Sequence, residues 1–526
     1  MVLCYVQTMN VDVQKLSDNS DELKKVIVTL QESYQEKVDY LEQKIRLLQI
    51  EIFGRKSEKR PLPDINQLRI FDEPEPEMSA VEERIAVPSH SRRKRGRKPL
   101  PENLPRVEII HDLGESEKVC DCGCQLKRIG EETSEKLDYV PARIQVERHI
   151  RYKYACPGCE GVDSEGPTVK IPPVPAQLLP KSIATAGLVA HIITAKFEDA
   201  LPFYRQEKIF ARLGIELGRG TIAGWVIKTY EKVQPLIELI GHEIRSGPLV
   251  GIDETPVQVL NEPGRDNTAK SYMWVFRGGD PDHPALVFQY HPSRAGKIPL
   301  SYLNGYQGFV QTDGYNGYDA LGRQPGVTPV GCWAHARRKF DKVIKARGNP
   351  KKTGAADEAM QYIAGLYAIE KEARQKGLAP DQIYELRQLK AKPILDAFKT
   401  WLDHKIQSTP PKGLLGKAVG YTLNYWSRLV RYIDDGRLRP DNNLVENAIR
   451  PFVLGRKNWL FSGHPSGAEA SAAMYSLIET AKANGLKSYF YLRYLFEKLP
   501  LAQTESDLKN LLPQYVDPAA LAAPIQ

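Results

Sequence analysis

The sequence predicts a multidomain α+β protein, in which an α/β core carries an all-α insertion and follows several smaller modules. Three observations lead to this fold class. The chain has 526 residues, more than one hydrophobic core usually organises. Its apolar residues change from helical to strand-like spacing at about residue 249 and return to helical spacing at about residue 334. Two groups of cysteines lie upstream of this core, on either side of a strand-like stretch.

The composition is that of a soluble protein, with 42% hydrophobic and 26% charged residues. No apolar run is long enough to span a bilayer, and the N-terminus lacks the residue order of a secretory signal. We therefore expect a cytoplasmic protein with no membrane partner. The net charge of +8 is only a weak indication of a polyanionic partner in a chain of this length.

Residues 1–55 are predicted to form a coiled-coil helix. Apolar side chains recur there at steps of three and four, close to a heptad, at Leu23, Ile27, Leu30, Tyr34, Val38, Leu41, Ile45, Leu48 and Ile52. Such a stripe favours pairing of two chains, because no nearby segment offers it a partner. The alternative is one amphipathic helix that packs on its own chain.

Residues 56–104 are predicted to form a disordered linker, because they are polar and rich in proline. The linker ends in a basic arm of six cationic residues, Arg92, Arg93, Lys94, Arg95, Arg97 and Lys98. Flexible basic segments of this kind bind narrow A·T minor grooves, where the potential is most negative. We therefore predict nucleic-acid contact, the alternative being a solvated run of charge.

Residues 105–175 are predicted to form a zinc-ribbon-like module that binds DNA. Five cysteines lie in two groups, which are Cys120, Cys122 and Cys124, and then Cys156 and Cys159. Zn²⁺ takes four soft ligands in a tetrahedron, so the second pair would join two of the first three. Which two they are stays open, and so does the alternative that the ribbon folds without metal. The stretch from Ile144 to Tyr154 alternates like a strand between the two groups.

Residues 176–247 are predicted to be helical. A helix over 203–213, a glycine-bearing turn and a helix over 221–233 resemble a helix-turn-helix. Arg219, Gly220 and Thr221 open the second helix, which also carries Trp225 and Lys228. DNA contact and plain helical packing are both open here.

Residues 248–340 are predicted to form the first part of the catalytic core. We expect five strands, at 249–253, 272–276, 285–290, 308–313 and 328–332. One helix, at 295–304, is expected between the third and the fourth strand. This order is close to that of the ribonuclease-H-like fold. A helical insertion is then predicted over 341–438, the last core helix over 439–465, and a helical C-terminal region with a loose tail over 466–526. Asp441, Asn442 and Asn443 offer N-cap chemistry to that core helix, and Pro451 is expected to end or kink it.

Three acidic residues are the candidate catalytic and metal-binding side chains. Asp253 and Asp313 each end a predicted strand, and Glu446 lies on the last core helix. Clustered carboxylates repel one another unless cations neutralise them, and oxygen ligands suit Mg²⁺ or Mn²⁺. Two such ions can support an in-line displacement at phosphorus. Glu254 follows Asp253 on a strand, so we expect it to point to the opposite face and to take no part.

The sequence resembles the transposases of the insertion sequence 66 family over nearly its whole length. The resemblance rests on several motifs together, which are FGRKSEK at 53–59, GRKP at 96–99, the cysteine module, LPFYRQ at 201–206, GCWAHARRKF at 331–340, ENAIRPF at 446–452 and RKNW at 456–459. One departure is the first cysteine group, which reads Cys-Asp-Cys-Gly-Cys in place of the usual Cys-x-x-Cys. That departure bears on the zinc site.

The resemblance implies a DDE transposase, with Asp253, Asp313 and Glu446 at the matching positions. Such an enzyme cleaves the terminal inverted repeats of a bacterial insertion sequence and joins them to target DNA. We expect the protein to act at the nucleoid and to form a homodimer or a higher multimer on DNA. The resemblance also implies two small accessory proteins encoded by the same element.

Basic residues near these motifs are predicted to contact DNA. They are His335, Arg337, Arg338, Lys339, Arg450, Arg456 and Lys457. His335 follows Cys332 in a Cys-x-x-His pair, for which two interpretations stay open. The pair contacts DNA beside the cut, or it is a packed cysteine with a helix-capping histidine.

Three other functions are compatible with parts of this pattern. A nuclease or resolvase of the same fold would use the same metals without joining strands. A non-catalytic DNA-binding protein would not need the three acids, and a zinc-ribbon scaffold leaves them unexplained. All three acids are present, which favours the enzyme.

Overall fold

A computed structural model describes residues 20–53, 84–87, 90–93, 144–155, 169–347 and 353–521. These residues fall into two compact units. The larger contains the first helix and everything from residue 175 onward, and the smaller lies between residues 72 and 174. Of the described helices, none combines the length and apolarity that a bilayer crossing requires.

The smaller unit contains two short antiparallel pairs of strands. They are β1 (Arg84–Val87) with β2 (His90–Arg93), and β3 (Tyr154–Ala155) with β4 (Val169–Lys170). The strand predicted from Ile144 to Tyr154 was wrong over most of its length, because only its last residue is paired. Val146 in its middle is 93% exposed, so within the described parts of the chain this residue has no packing partner.

The first helix of the larger unit is α1 (Ser20–Phe53), which is continuous as predicted. Tyr34, Leu41 and Ile45 of its apolar stripe are exposed. Tyr40 faces the rest of this unit, and its hydroxyl accepts a hydrogen bond of 3.3 Å from Lys417 Nζ. Pairing of α1 with a second chain stays a prediction.

Three helices lead to the sheet. They are α2 (Ala186–Phe197), α3 (Phe203–Arg212) and α4 (Arg219–Ser246). α4 is longer than predicted and continues through Pro235, since Leu236, Ile240 and Ile244 keep its apolar face in the core. Trp225 is also part of that core, whereas Arg219 and Lys228 are exposed.

The centre of the larger unit is a six-stranded mixed sheet. Its strands are β5 (Leu249–Val259), β6 (Lys270–Asp280), β7 (His283–His291), β8 (Gly308–Gln311), β9 (Val327–Val330) and β10 (Phe461–Ser462). Their order is β7-β6-β5-β8-β9, and β10 pairs with the end of β5. β5, β6 and β7 are antiparallel, whereas β8 and β9 run parallel to β5. The short helix α5 (Lys297–Tyr302) connects β7 to β8.

The five strands predicted for this sheet all exist, and the first three are longer than expected. They form a meander whose residues are buried on both sides, including Met273, Trp274 and Phe288. N–H groups of the edge strand β7 donate hydrogen bonds to hydroxyl groups of the helix at Pro465–Ala483. Phe288 N donates to Ser476 Oγ at 2.8 Å and Leu286 N donates to Thr480 Oγ1 at 3.0 Å, which satisfies donors that an open edge would expose.

A helical insertion follows β9, as predicted. Its helices are α6 (Trp333–Lys345), α7 (Ala355–Gln375), α8 (Pro380–Leu386), α9 (Lys392–Gln407), α10 (Leu414–Asn424) and α11 (Trp426–Leu429). They enclose a second core around Trp333, Phe340 and Phe398. The buried Arg387 pairs with Glu370 at 2.7 Å and donates to the carbonyls of residues 432, 435 and 438, so the insertion is bonded to the segment that enters the next helix.

The chain returns to the sheet through α12 and ends in three further helices. They are α12 (Asn443–Trp459), α13 (Pro465–Ala483), α14 (Ser488–Lys498) and α15 (Glu505–Lys509). Pro451 lies inside α12 and does not end it. Ile449 and Phe452 are buried on either side of this proline, and their packing retains the helix in spite of the missing N–H.

Candidate active site

Asp253 and Asp313 lie at the same level of two neighbouring strands. β5 and β8 are paired in parallel, with Leu249 beside Phe309 and Gly251 beside Gln311. Continuing that register by two residues brings Asp253 level with Asp313, just beyond the last residue of β8. The sheet therefore brings these two carboxylates to one place.

Glu446 approaches from the first turn of α12, which packs on β5. Asn442, the residue before α12, donates from Nδ2 to the carbonyl oxygen of Ile252 at 2.9 Å. Gly251 permits this contact, since a Cβ there would lie 2.5 Å from Val445 Cγ2. The side chain of Asn442 therefore docks the helix on the strand and makes no N-cap hydrogen bond of the kind predicted.

Asp253 is a buried carboxylate whose charge is not balanced by the protein. Burial first, and then the charges of Glu254, Glu446 and Asp313, raise its pKa to about 8, although the backbone N–H of Glu254 lowers it. Among the described residues, no basic side chain forms an ion pair with Asp253. Such a group needs a cation if it is to be ionised at neutral pH.

Glu446 differs because two basic side chains of α6 face it. Arg338 Nη2 is 2.5 Å from its Oε2, and His335 Nδ1 is 3.7 Å from its Oε1. Arg338 Nη1 also lies 3.1 Å from His335 Nε2. Burial lowers the pKa of His335, which the charge of Glu446 opposes.

Cys332 joins the start of α6 to the start of α12. Its Sγ accepts a hydrogen bond of 3.3 Å from Asn442 N, and Trp333 N donates to Pro440 O at 2.8 Å. Cys332 is only 2% exposed, so it is packed, as one of the two interpretations held. His335 is not the helix cap of that interpretation, because Cys332 itself precedes α6 and the imidazole faces Glu446.

Glu254 is the residue that sequence reasoning underestimated. It lies on the other face of β5, as expected, but its side chain is 1% exposed and heavily bonded. Arg294 lies 2.5 Å from Oε1, and the Tyr318 hydroxyl donates to Oε2. Burial raises the pKa of Glu254 above its usual value, and the contacts with Tyr318 and Arg294 oppose only part of that rise.

These contacts lead back to Asp313. The Arg294 guanidinium stacks 3.7 Å from the Tyr315 ring centre, and the Tyr315 hydroxyl donates to Arg294 O at 3.0 Å. Tyr315 N donates to Asp313 Oδ1 at 2.9 Å. The two tyrosines so close behind Asp313 are the sequence signal for this network.

The other residues predicted to contact DNA have different environments. Arg337 is 8% exposed and therefore badly placed for phosphate, whereas Arg450 and Lys457 are on the surface. Lys339 Nζ lies 4.3 Å over the Tyr421 ring, and Arg456 Nη1 donates to Thr255 Oγ1 on β5 at 3.1 Å.

The residues predicted for zinc and for the basic arm are mostly outside the described part of the chain. Arg92 and Arg93 lie on β2, in a strand and not in an unstructured arm. The residues outside it are Lys94, Arg95, Arg97, Lys98, Cys120, Cys122, Cys124, Cys156 and Cys159.

Comparison with known protein families identifies the family of this chain. Residues 181–470, more than half of the chain, match the model of the Transposase IS66 family. The chain belongs to this transposase family. Residues 40–109 match the model described as Transposase C of IS166 homeodomain, and residues 117–160 match the zinc-finger binding domain of transposase IS66. Residues 476–514 match the IS66 C-terminal element. The resemblance inferred from the motifs is thereby confirmed.

Similar proteins occur in Sinorhizobium fredii (strain NBRC 101917 / NGR234). The chain is 37% identical to "Uncharacterized protein y4jD" over 426 residues, which are 79% of this chain and 81% of that one. It is 30% identical to "Uncharacterized protein y4qI" over 510 residues, which are 94% and 92% of the two chains. Similarity to these relatives extends along nearly the entire chain, and membership of the transposase family supports DNA as the partner.

Proposed function

We propose that this IS66-family transposase is a DDE enzyme that cleaves the ends of a bacterial insertion sequence and transfers the strands to target DNA. The observation that carries the proposal is the convergence of Asp253, Asp313 and Glu446 from two strands and a helix, with Asp253 uncompensated. The strand order β7-β6-β5-β8-β9 supports a ribonuclease-H-like core.

The residues present suit Mg²⁺ or Mn²⁺. Three carboxylates supply hard oxygen ligands, and the raised pKa of Asp253 indicates a site that lacks positive charge. Two such ions activate the attacking oxygen and stabilise the leaving oxygen in phosphoryl transfer. Asp253 and Asp313 would hold them from the sheet, and Glu446 from α12.

Arg338 has a separate part in this proposal. In the absence of metal it neutralises Glu446 through Oε2. A cation beside Glu446 would weaken that attraction, and the guanidinium would then turn to a phosphate of the DNA, for which its forked donors are suited. His335 lies between the two and would move with Arg338.

The upstream modules would recognise and pair the element ends. We assign zinc to Cys156, Cys159 and two of Cys120, Cys122 and Cys124, in the segment that matches the family's zinc-finger domain. The arm at residues 92–98 and the helices α3 and α4 would add DNA contacts. The exposed stripe of α1 would join two chains, so that both ends are held by one assembly. Two accessory proteins and a location at the nucleoid belong to the same proposal, as does the division of the chain into the eight segments predicted from the sequence.

The test is a cleavage and joining assay with purified full-length protein. Labelled DNA with the inverted repeats that flank the gene is incubated with Mg²⁺ and a target plasmid, and the nicks and joined products are mapped. We expect nicks at the repeat ends and joined strands. Nicks without joined product would favour a nuclease of the same fold.

A matched pair of variants makes the assay specific. Asp253→Asn should remove the nicks and retain binding to the ends, because the amide keeps the shape and loses the charge. Asp266→Asn changes an exposed aspartate in the β5–β6 loop and should cleave normally. Wild-type cleavage by Asp253→Asn would refute the assignment.

A further inference from the structure

Two buried polar atoms beside the proposed active site face each other without a hydrogen-bond partner. They are His335 Nδ1 and Glu446 Oε1, which lie 3.7 Å apart and are both unpartnered among the described residues. Leaving such atoms unsatisfied is costly, and in native proteins it calls for an explanation such as an ion. Glu446 Oε2 is already bonded to Arg338, so only Oε1 is available.

A third donor atom belongs to the same cluster. Cys332 Sγ lies with the histidine and carboxylate atoms so that all three are within 4.8 Å of one another. Cys332 and His335 are three residues apart at the start of α6, a spacing that turns both side chains to one side of the helix. Glu446 completes the set from α12.

This donor set differs in kind from that of the proposed magnesium site. Thiolate sulfur and imidazole nitrogen are ligands of Zn²⁺, with bonds of about 2.3 Å and about 2.0 Å, whereas Mg²⁺ prefers oxygen. Three protein ligands leave a fourth tetrahedral position for water. The separation of 3.7 Å between Nδ1 and Oε1 is already close to that of two ligands on one zinc ion.

We propose that Cys332, His335 and Glu446 form a binding site for Zn²⁺, and that its occupation inhibits the transposase by withdrawing Glu446 from the magnesium site. Binding itself depends only on the three donors. The inhibition rests on the proposed function, in which Glu446 holds the catalytic metal.

Zinc binding removes one proton from the site, moves another and breaks one contact. The thiol of Cys332 gives up its proton to solvent when sulfur binds the ion. His335 must offer a lone pair from Nδ1, so its remaining proton moves to Nε2, and Arg338 Nη1, now 3.1 Å from Nε2, must turn away.

The binding test uses Co²⁺ as a spectroscopic probe in the full-length protein. A thiolate ligand gives cobalt an intense charge-transfer absorption, which the zinc-finger cysteines also contribute. The comparison is therefore between wild type, Cys332→Ser and Cys156→Ser. We expect Cys332→Ser to bind about one ion fewer per chain and to lose part of the absorption. Cys156→Ser should retain that part. Identical cobalt spectra and stoichiometry for wild type and Cys332→Ser would overturn the proposal.

Serine is the appropriate replacement, since its hydroxyl can still accept the hydrogen bond from Asn442 N. His335→Gln is the second variant, and it tests the same site without touching that contact. Thermal unfolding of each variant without added metal checks that it is folded. If Cys332→Ser does not fold, His335→Gln decides by the same cobalt stoichiometry.

The inhibition test measures Mg²⁺-dependent nicking during a Zn²⁺ titration, with each variant normalised to its own rate without zinc. The zinc concentration for half inhibition should rise at least about tenfold in Cys332→Ser. An unchanged value refutes the inhibitory role. If the wild type does not nick at all, the proposed function fails while the cobalt result still decides the metal site.

Discussion

The two faces of β5 at its centre carry neighbouring carboxylates with opposite surroundings. Glu254 is enclosed by Arg294 and Tyr318, which balance its charge within the protein. Asp253 is also buried but has no basic partner among the described residues, and burial, followed by the charges of Glu254, Glu446 and Asp313, raises its pKa to about 8. One residue along the strand thus separates a structural ion pair from a site that attracts cations.

The difference shows that burial of an acid does not by itself indicate catalysis. A buried carboxylate that is bonded to an arginine and a tyrosine has its charge balanced by the protein, and it holds parts of the fold together. A buried carboxylate among other carboxylates has no balancing charge until a metal ion binds. The two carboxylates differ in their neighbours, which come from the loops after β7 and β8 and from α12.

The largest expected effect is loss of cleavage on the Asp253 face. Asp253→Asn should lower the nicking rate by a factor on the order of 10³ or more, because a bound metal supplies several kcal/mol to the transition state. Single-turnover cleavage of end DNA measures it. A loss of less than tenfold would mean that the two faces do not differ in the way described.

A smaller effect is expected on the Glu254 face. Glu254→Gln breaks the pair with Arg294 and loosens the Tyr315 contact to Asp313, so the Mg²⁺ concentration for half-maximal nicking should rise about 10- to 100-fold. At saturating Mg²⁺ the rate should largely recover. Failure to recover would place Glu254 in the chemistry itself. Tyr318→Phe is the matched milder variant, since it removes only the hydroxyl that donates to Glu254.

The pH dependence of stability should distinguish Asp253 from an ordinary acid. Its folded pKa of about 8 lies above the usual 3.8, so between these values the folded protein holds a proton that the unfolded chain releases. Stability without added Mg²⁺ therefore falls as pH rises through that window, by at most about 1.4 kcal/mol per pH unit. Asp253→Asn should remove this contribution, so its melting temperature should exceed that of wild type increasingly from pH 5 to about pH 8. Parallel curves would contradict it.

The smallest effect concerns Thr255, which accepts a hydrogen bond from Arg456. Thr255→Val should destabilise the protein by about 1 kcal/mol, the usual value of one hydrogen bond, without changing the metal requirement. Urea denaturation and a Mg²⁺ titration of nicking measure the two quantities. A shift in the metal requirement as large as that of Glu254→Gln would show that any change on β5 disturbs the site.

Much of this architecture was predictable because its signals are local. The apolar spacing indicated α1, the meander of strands and the helical insertion, and the order of three acids on strand, strand and helix indicated the candidate site. Side-chain periodicity depends only on neighbouring residues, so a single sequence carries it. The strand at 144–154 was predicted wrongly for the same reason, since alternation without a packing partner looks identical in a sequence.

The sequence by itself determined the membership of the chain in its transposase family, the types of element and the three acids. Only the tertiary structure decided that Gly251 and Asn442 dock α12 on β5, that Glu254 supports the loop of Asp313, and that Cys332 and His335 meet Glu446. These contacts join residues far apart in the chain, and those of α12 with β5 and with α6 span the entire helical insertion. Their geometry depends on how layers pack and on which charges are left uncompensated, and apart from the two tyrosines after Asp313 neither has a local signature in the sequence.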